Sequence, residues 1–345
     1  MKKIMVIFVA LVLMLTAFAG CVQAEEALPT LRVAVIPVIS SIAIPYIAEQ
    51  GGDVENGFKI ETVVFSSGAP MGEALLSNEW DIGIMSAAGV YAAANYDALC
   101  IADTSDTIGV DGIGVFVRPD SEIAAVKGSN PTYPNVLGDA ETVKGKTILC
   151  PTGTLSQMHV LMWLEAIGLT DEDVNLVHME FTQAYQAFKS GQGDIVALNP
   201  PFCYQVADEG YLSAAPTAEL GVGLNDMVFA NKKTYEENKD IIKTCLELIL
   251  KADAEMEADT SVKKQTLADW YAANGSTVDE SSLEQEITKR LYTIEDLKAM
   301  EEPVGGTLIN VSEFYATIGN IETEQVEVVK NNIDSTLIDE ILAAN

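Results

Sequence analysis

The chain has 345 residues, 48% of them hydrophobic, enough for two lobes of ordinary size. Acids outnumber bases 51 to 20, a formal charge of −31. A surface of that sign repels phosphate backbones and argues against a nucleic-acid partner; it does not forbid an anionic ligand, because local backbone dipoles set the field inside a cleft.

Lys2 and Lys3, followed by an apolar run over residues 4–15 too short for a comfortable membrane span, read as an export signal covering residues 1–24. Residues 18–21 have the form of a bacterial lipobox, in which Cys21 is lipidated and becomes the mature N-terminus. Phe18 stands where leucine is usual. Ordinary cleavage after Ala24 is the alternative. Loss of the leader removes two lysines and brings the charge to −33. No other segment approaches eighteen consecutive apolar residues, so the mature chain is expected outside the membrane.

Beyond a polar linker, residues 32–37 predict a strand closed by Pro37, then a hydroxyl turn at Ser40 and Ser41 and a helix over 44–51. Residues 57–65 predict a second strand, residues 66–70 a turn into a helix from Met71, and residues 80–84 a third strand that delivers Ser86. Residues 113–117 predict another strand, where the first crossing between lobes is placed. Residues 129–134 carry turn chemistry and predict a surface insertion.

Residues 146–204 then repeat residues 32–91. An apolar run again ends in proline, at Pro151, and a hydroxyl-rich loop again leads into a helix near residues 158–168. The later parts register at a constant offset of 113, with residues 74–82 over 187–195 and Tyr91 over Tyr204. Each copy alternates strands and helices, which predicts a parallel sheet with helices packed on it. Ligands in such sheets bind outside the carboxyl ends of the strands, where helix N-termini point, so two facing copies predict one cleft between them.

A second crossing is placed near Ala215, followed by an apolar return over residues 220–230. Beyond Asn231 the pattern is helical, and over residues 240–256 Ile241, Cys245, Leu248 and Ala252 form a core-facing stripe. Further helices are predicted over 261–273, 281–291 and 335–342, packed back on the first lobe.

Cys100, Cys150, Cys203 and Cys245 lie in no CxxC pair and near no histidine at metal spacing, so no metal site is predicted. A Cys150–Cys203 disulfide and isolated buried thiols both remain open. His159 and His178 accompany no motif serine or cysteine, and a structural role is expected of each. There is no G-x-S-x-G and no HExxH, and residues 145–147 lack the first glycine of a P-loop.

Residues 31–37, Phe65 to Gly68, Asp81 to Gly83, Val117 to Ser121, Val143 to Thr147 and Asn199 to Pro201, in that order and spacing, resemble the solute-binding lipoproteins of ABC importers of the nitrate, sulfonate and taurine type. The resemblance covers about residues 30–230. It implies a two-lobed α/β fold of the type 2 periplasmic-binding-protein kind, each lobe a mostly parallel sheet flanked by helices, joined by a two-strand hinge. The first lobe would be discontinuous, residues 30–117 with 218–345, and the second would be residues 118–217. It also implies an extracytoplasmic monomer held at the membrane by its lipid, partnered by a permease and its ATPase, needing no cofactor and delivering a small organic anion.

Such a ligand needs inward-facing donors rather than catalytic groups. Ser40, Ser41, Ser67, Gly68 and Ser86 supply them from the first lobe. Thr152, Gly153, Thr154, Ser156 and Asn199 supply them from the second, with Phe181 and Phe202 as apolar walls. Tyr91 and Tyr185 are further candidates for the wall. Helix capping is the competing role for the hydroxyls. Glu180 and Asp226 can receive an amine, against the commoner fate of a solvated carboxylate. An enzyme on the same fold, of pyrimidine-precursor or menaquinone type, and a ligand-sensing receptor are the alternative readings.

Overall fold

The computed structural model describes residues 27–106, 114–221 and 223–345. The leader, Cys21 and Ala24 lie outside the described residues. Two five-stranded sheets organise the chain, and their topologies match. The first runs β2-β1-β3-β10-β4, from β1 (Thr30–Val35), β2 (Lys59–Val64), β3 (Ile82–Met85), β4 (Ala98–Asp106) and β10 (Asn225–Asn231). The second runs β7-β6-β8-β5-β9, from β5 (Gly114–Val117), β6 (Thr147–Cys150), β7 (Asn175–His178), β8 (Ile195–Leu198) and β9 (Leu212–Ser213). In each, three parallel strands meet an antiparallel fourth, β10 beside β3 and β5 beside β8.

The lobes trade that fourth strand. β5 follows the first lobe in sequence yet pairs in the second sheet; β10 follows the second lobe yet pairs in the first. The exchange makes the first lobe discontinuous. It also sets β5 apart from the expected boundary after residue 117, because β5 pairs wholly in the second sheet. The second crossing lies between Ser213 and Asn225, and the short helix Thr217–Leu220 within it packs near the helix Leu155–Ala166.

The repeated Asp-Ile pairs have a physical cause. Asp81 accepts the backbone N–H of Arg32 at 2.9 Å and returns its own N–H to the Arg32 carbonyl at 2.9 Å, closing the start of β3 onto β1. Asp194 does the same to Thr147, at 2.9 Å each way, joining β8 to β6. Arg32 adds a fork to Asp81 at 2.7 and 3.1 Å.

β4 was not predicted, because its second half, Asp103, Thr104 and Ser105, reads as a polar loop. All three are buried and their side chains are satisfied. Asp103 accepts from Asn225 Nδ2 at 2.9 Å and from the Gly305 N–H at 3.1 Å, while Thr104 and Ser105 donate to Asp226.

One face of the first sheet is covered by the long helix Lys232–Ala258 and its neighbours, with Leu31, Val33, Phe58, Ile242, Leu246 and Tyr271 in that core. Helices Gly306–Thr317 and Thr323–Asn331, also unpredicted, pack near the helix Ala88–Tyr96. That second core continues into the other lobe through Val115, Ile148 and Trp163. The four cysteines are buried free thiols, Cys150 and Cys203 included. Among the described residues no helix is long and apolar enough to cross a membrane.

Candidate functional site

The duplication brings equivalent helix starts face to face. Gly68 begins the helix Gly68–Ala74 and Phe181, 113 residues later, begins Phe181–Lys189. Their preceding residues touch across the cleft, the Ser67 hydroxyl lying 3.4 Å from Glu180 Oε1. Behind that contact is a cavity of about 70 Å³, room for a few water-sized molecules or one compact solute. It opens towards a mouth of about 270 Å³ that shares Ile36, Val38, Phe181, Asn199 and Pro200 with it.

Of the twelve expected ligand-binding residues, seven line the inner cavity. Ser40, Gly68 and Ser86 come from the first lobe; Thr154, Ser156, Phe181 and Asn199 come from the second. Gly68 is required there, since a Cβ on it would stand 2.6 Å from that of Ala88. Phe202 lies at the mouth rather than inside. Thr152 and Gly153 line a separate groove with Tyr91, His178 and Glu180. Ser41 is fully buried in the turn Ile39–Ser41, and Ser67 is turned to Glu180, so neither forms the inner wall.

Helix capping does not account for the hydroxyls. Ser67 and Thr154 precede helices, yet neither side chain caps its helix. Thr154 donates instead to the Pro151 carbonyl at 2.6 Å. Ser156 is 1% exposed, lines the cavity, and its Oγ has no hydrogen-bond partner in the protein. It sits in the first turn of the twelve-residue helix Leu155–Ala166, whose leading N–H groups lack intrahelical acceptors and carry the positive end of the helix dipole. A buried hydroxyl beside open backbone donors suits an oxygen-bearing group of a ligand.

The opposite wall is charged, and sequence reasoning largely missed it. The helix predicted over 281–291 ends at Glu286, and the turn after it carries Lys289 to the cavity. Lys289 pairs with Asp226, which also accepts from the Ser105 hydroxyl at 3.0 Å. Asp226 is therefore a buried, paired carboxylate rather than a solvated one. Glu286 is 1% exposed; its Oε1 accepts the Ile39 N–H at 3.1 Å and its Oε2 the Tyr271 hydroxyl at 2.7 Å. Burial pushes its carboxyl up to about 7, against the pull of those two bonds and of Lys289. Three charged residues amid apolar neighbours read as a solvated face; only the tertiary fold brings them inside. Ile36, Val38, Ile39, Met85, Ala88, Leu155 and Pro200 complete the apolar lining.

Glu180 holds Ser67 and lies 3.7 Å from His178 Nε2, while its Oε2 is buried without a partner. Tyr185 bonds Glu209 and Lys189 outside the cavity. His178 meets the Thr152 hydroxyl at 2.8 Å, and His159 is buried within the helix Leu155–Ala166; neither lines the inner cavity. Arg118 is occupied by the Gly193 and Phe188 carbonyls and stacks 4.1 Å above the Phe188 ring. Among the described residues no cluster of three His, Cys, Asp or Glu suited to a metal is formed.

Two mixed sheets that exchange a strand, with a cavity walled by both, define a two-lobed periplasmic-binding-protein fold. The chain belongs to the NMT1-like family, whose model matches residues 24–272. It is 38% identical to a putative ABC transporter periplasmic binding protein of Brachyspira hyodysenteriae, over 99% of this chain and 100% of that one. The fold is similar to that of the alkanesulfonate-binding protein SsuA from Xanthomonas axonopodis pv. citri bound to MOPS, at a TM-score of 0.68 and 18% identity, covering 90% of this chain and 99% of that one. It is also similar to the periplasmic nitrate-binding protein NrtA from Synechocystis, at 0.66 and 14%, covering 92% and 89%.

Proposed function

We propose that this protein is the extracytoplasmic solute-binding component of an ABC importer, closing its two lobes on a compact organic solute and presenting it to a permease. The observation that carries this reading is the inner cavity itself, built from both lobes and holding the unpartnered Ser156 hydroxyl. A ligand touching both walls favours the closed arrangement, because only that arrangement offers both sets of contacts. The apolar lining favours an organic anion of the sulfonate kind over bare nitrate, with its oxygens at the Ser156 hydroxyl and the adjoining backbone N–H groups. Attachment to the membrane through Cys21 is part of this reading, supported by the resemblance of residues 18–21 to a lipobox.

Binding is tested by calorimetric titration of sulfonates, nitrate and carboxylates into the wild type and Ser156→Ala. We expect one class to bind, and Ser156→Ala to weaken it about tenfold, the worth of one hydrogen bond to a charged group. The apo melting temperature should be little changed. Equal affinity in the variant would remove Ser156 from the site. Replacement of Cys21 by serine should release the protein from membranes, read by fractionation; unchanged retention would exclude the lipid anchor.

A further inference from the structure

The duplicated loops supply the cavity with hydroxyls, an amide and backbone donors, a neutral set that suits oxygen atoms. Every charged group in its wall comes from outside the duplication, from β10 and the C-terminal segment. Lys289 is paired with Asp226, so the two together bring no net charge to a ligand. Glu286 is different. Its two oxygens each accept one bond, from Ile39 and Tyr271, and a carboxylate has about four acceptor positions. One position on each oxygen remains, on a side chain 1% exposed that lines the cavity. The unpartnered Ser156 hydroxyl lines the same cavity from the second lobe, so the cavity offers both a donor and an acceptor.

We propose that Glu286 is the specificity-determining residue of this cavity, selecting solutes that carry a nitrogen donor, an ammonium or a paired N–H group. This rests on the solute-capture reading and names which member of the organic solutes fits. A simple oxyanion is met at this wall by an acceptor and no net positive charge. A solute with a single N–H group fills one of the two remaining acceptor positions, and an ammonium or a paired N–H group can fill both in bidentate fashion. Phe181 and Met85 face its apolar part.

Matched probes test this on the full chain. Taurine is compared with ethanesulfonate, and 2-aminopyridine with 2-methylpyridine, which has the same shape and no N–H group, each titrated calorimetrically beside nitrate. We expect the amino member of at least one pair to bind about tenfold or more tightly than its partner, the scale of a hydrogen bond to a charged group. Glu286→Gln, checked for folding by circular dichroism, should erase that preference, whereas Ser156→Ala should weaken both members alike.

A second measurement avoids the variant. The taurine ammonium stays charged between pH 6 and 8, so its advantage over ethanesulfonate should grow with pH as Glu286 ionises. The groups facing Glu286 are Tyr271, Lys289 with its partner Asp226, and Cys203; burial pushes the Tyr271 hydroxyl and the Cys203 thiol up, so both stay neutral through that range. Binding of ethanesulfonate or nitrate equal to that of the amines overturns the proposal, as does a preference that survives Glu286→Gln. Absence of binding by either amine overturns it too. Oxyanion binding that Ser156→Ala weakens would still leave the capture reading standing, while no binding by any probe would count against both.

Discussion

Glu286 illustrates how burial converts a carboxylate into a pH-sensitive group. Its ordinary value of 4.5 rises to about 7 because desolvation outweighs two hydrogen bonds and the charge of Lys289. The folded chain therefore holds this proton more tightly than the unfolded chain. The stabilisation is fully present below 4.5 and is lost as pH rises through 7, about 3 kcal/mol at the limit. Burial raises Asp103 and Asp253 in the same direction, and self-repulsion of an acidic chain adds to it. The useful readout is thus a difference. The wild-type melting temperature should fall between pH 5 and 8 more steeply than that of Glu286→Gln, and parallel curves would show that the side chain titrates as it does in water. Such a residue was not legible from the sequence. A glutamate followed three positions later by lysine on a predicted helix is ordinary surface chemistry, and nothing local announces that Ile39 and Tyr271 enclose it. The hydroxyls were legible, because loops that end parallel strands point at the cleft by construction. Which of them face the cavity was not, since Ser40 and Ser41 are neighbours and only Ser40 lines it.

At the scale of elements, the repeated offset of 113 was readable because each lobe needs the same fastening. Asp81 and Asp194 each tie the start of one strand to the backbone of its neighbour. The two are not equal in weight. Asp81 is 4% exposed and also holds the Arg32 fork, whereas Asp194 is exposed. We expect Asp81→Ala to cost about 2–3 kcal/mol and Asp194→Ala about 1 kcal/mol, measured by urea denaturation. Equal costs would mean that the fork contributes nothing. Among the elements the sequence hid, β4 has the clearest cause. Polar side chains in a central-looking position argue against a strand until their partners, Asn225, Gly305 and Asp226, arrive from residues more than a hundred positions away. Residues 281–291 failed for the related reason that a helical stripe does not show where a helix stops. That stop, at Glu286, makes the charged wall.

For the whole molecule, the strand exchange means that two chain crossings join lobes which also share apolar core but exchange few hydrogen bonds across the cleft. The contacts across the cleft include Ser67 with Glu180 at 3.4 Å and Gln205 with the Thr277 carbonyl at 3.4 Å. Both are long, and neither joins opposite charges. Contacts of this kind contribute little net stability, so a solute bonded to both walls can shift the balance between open and closed arrangements. Domain closure of the hinge type is the expected motion. The four cysteines among the described residues are buried, which leaves them poorly accessible to labelling reagents, and the labelled chain would start after Cys21. Cysteines placed at exposed positions by Glu73→Cys and Gln183→Cys, on the two facing helices that begin at Gly68 and Phe181, would carry spin labels selectively. Adding a solute identified by titration should narrow the label distances and shift them to shorter values, and Ser156→Ala should restore the broad distribution at the same solute concentration. A distribution indifferent to a solute that demonstrably binds would mean that the lobes are already fixed and that capture proceeds without closure. The permease would then have to recognise the bound solute or the rim around it instead of a change in the angle between lobes.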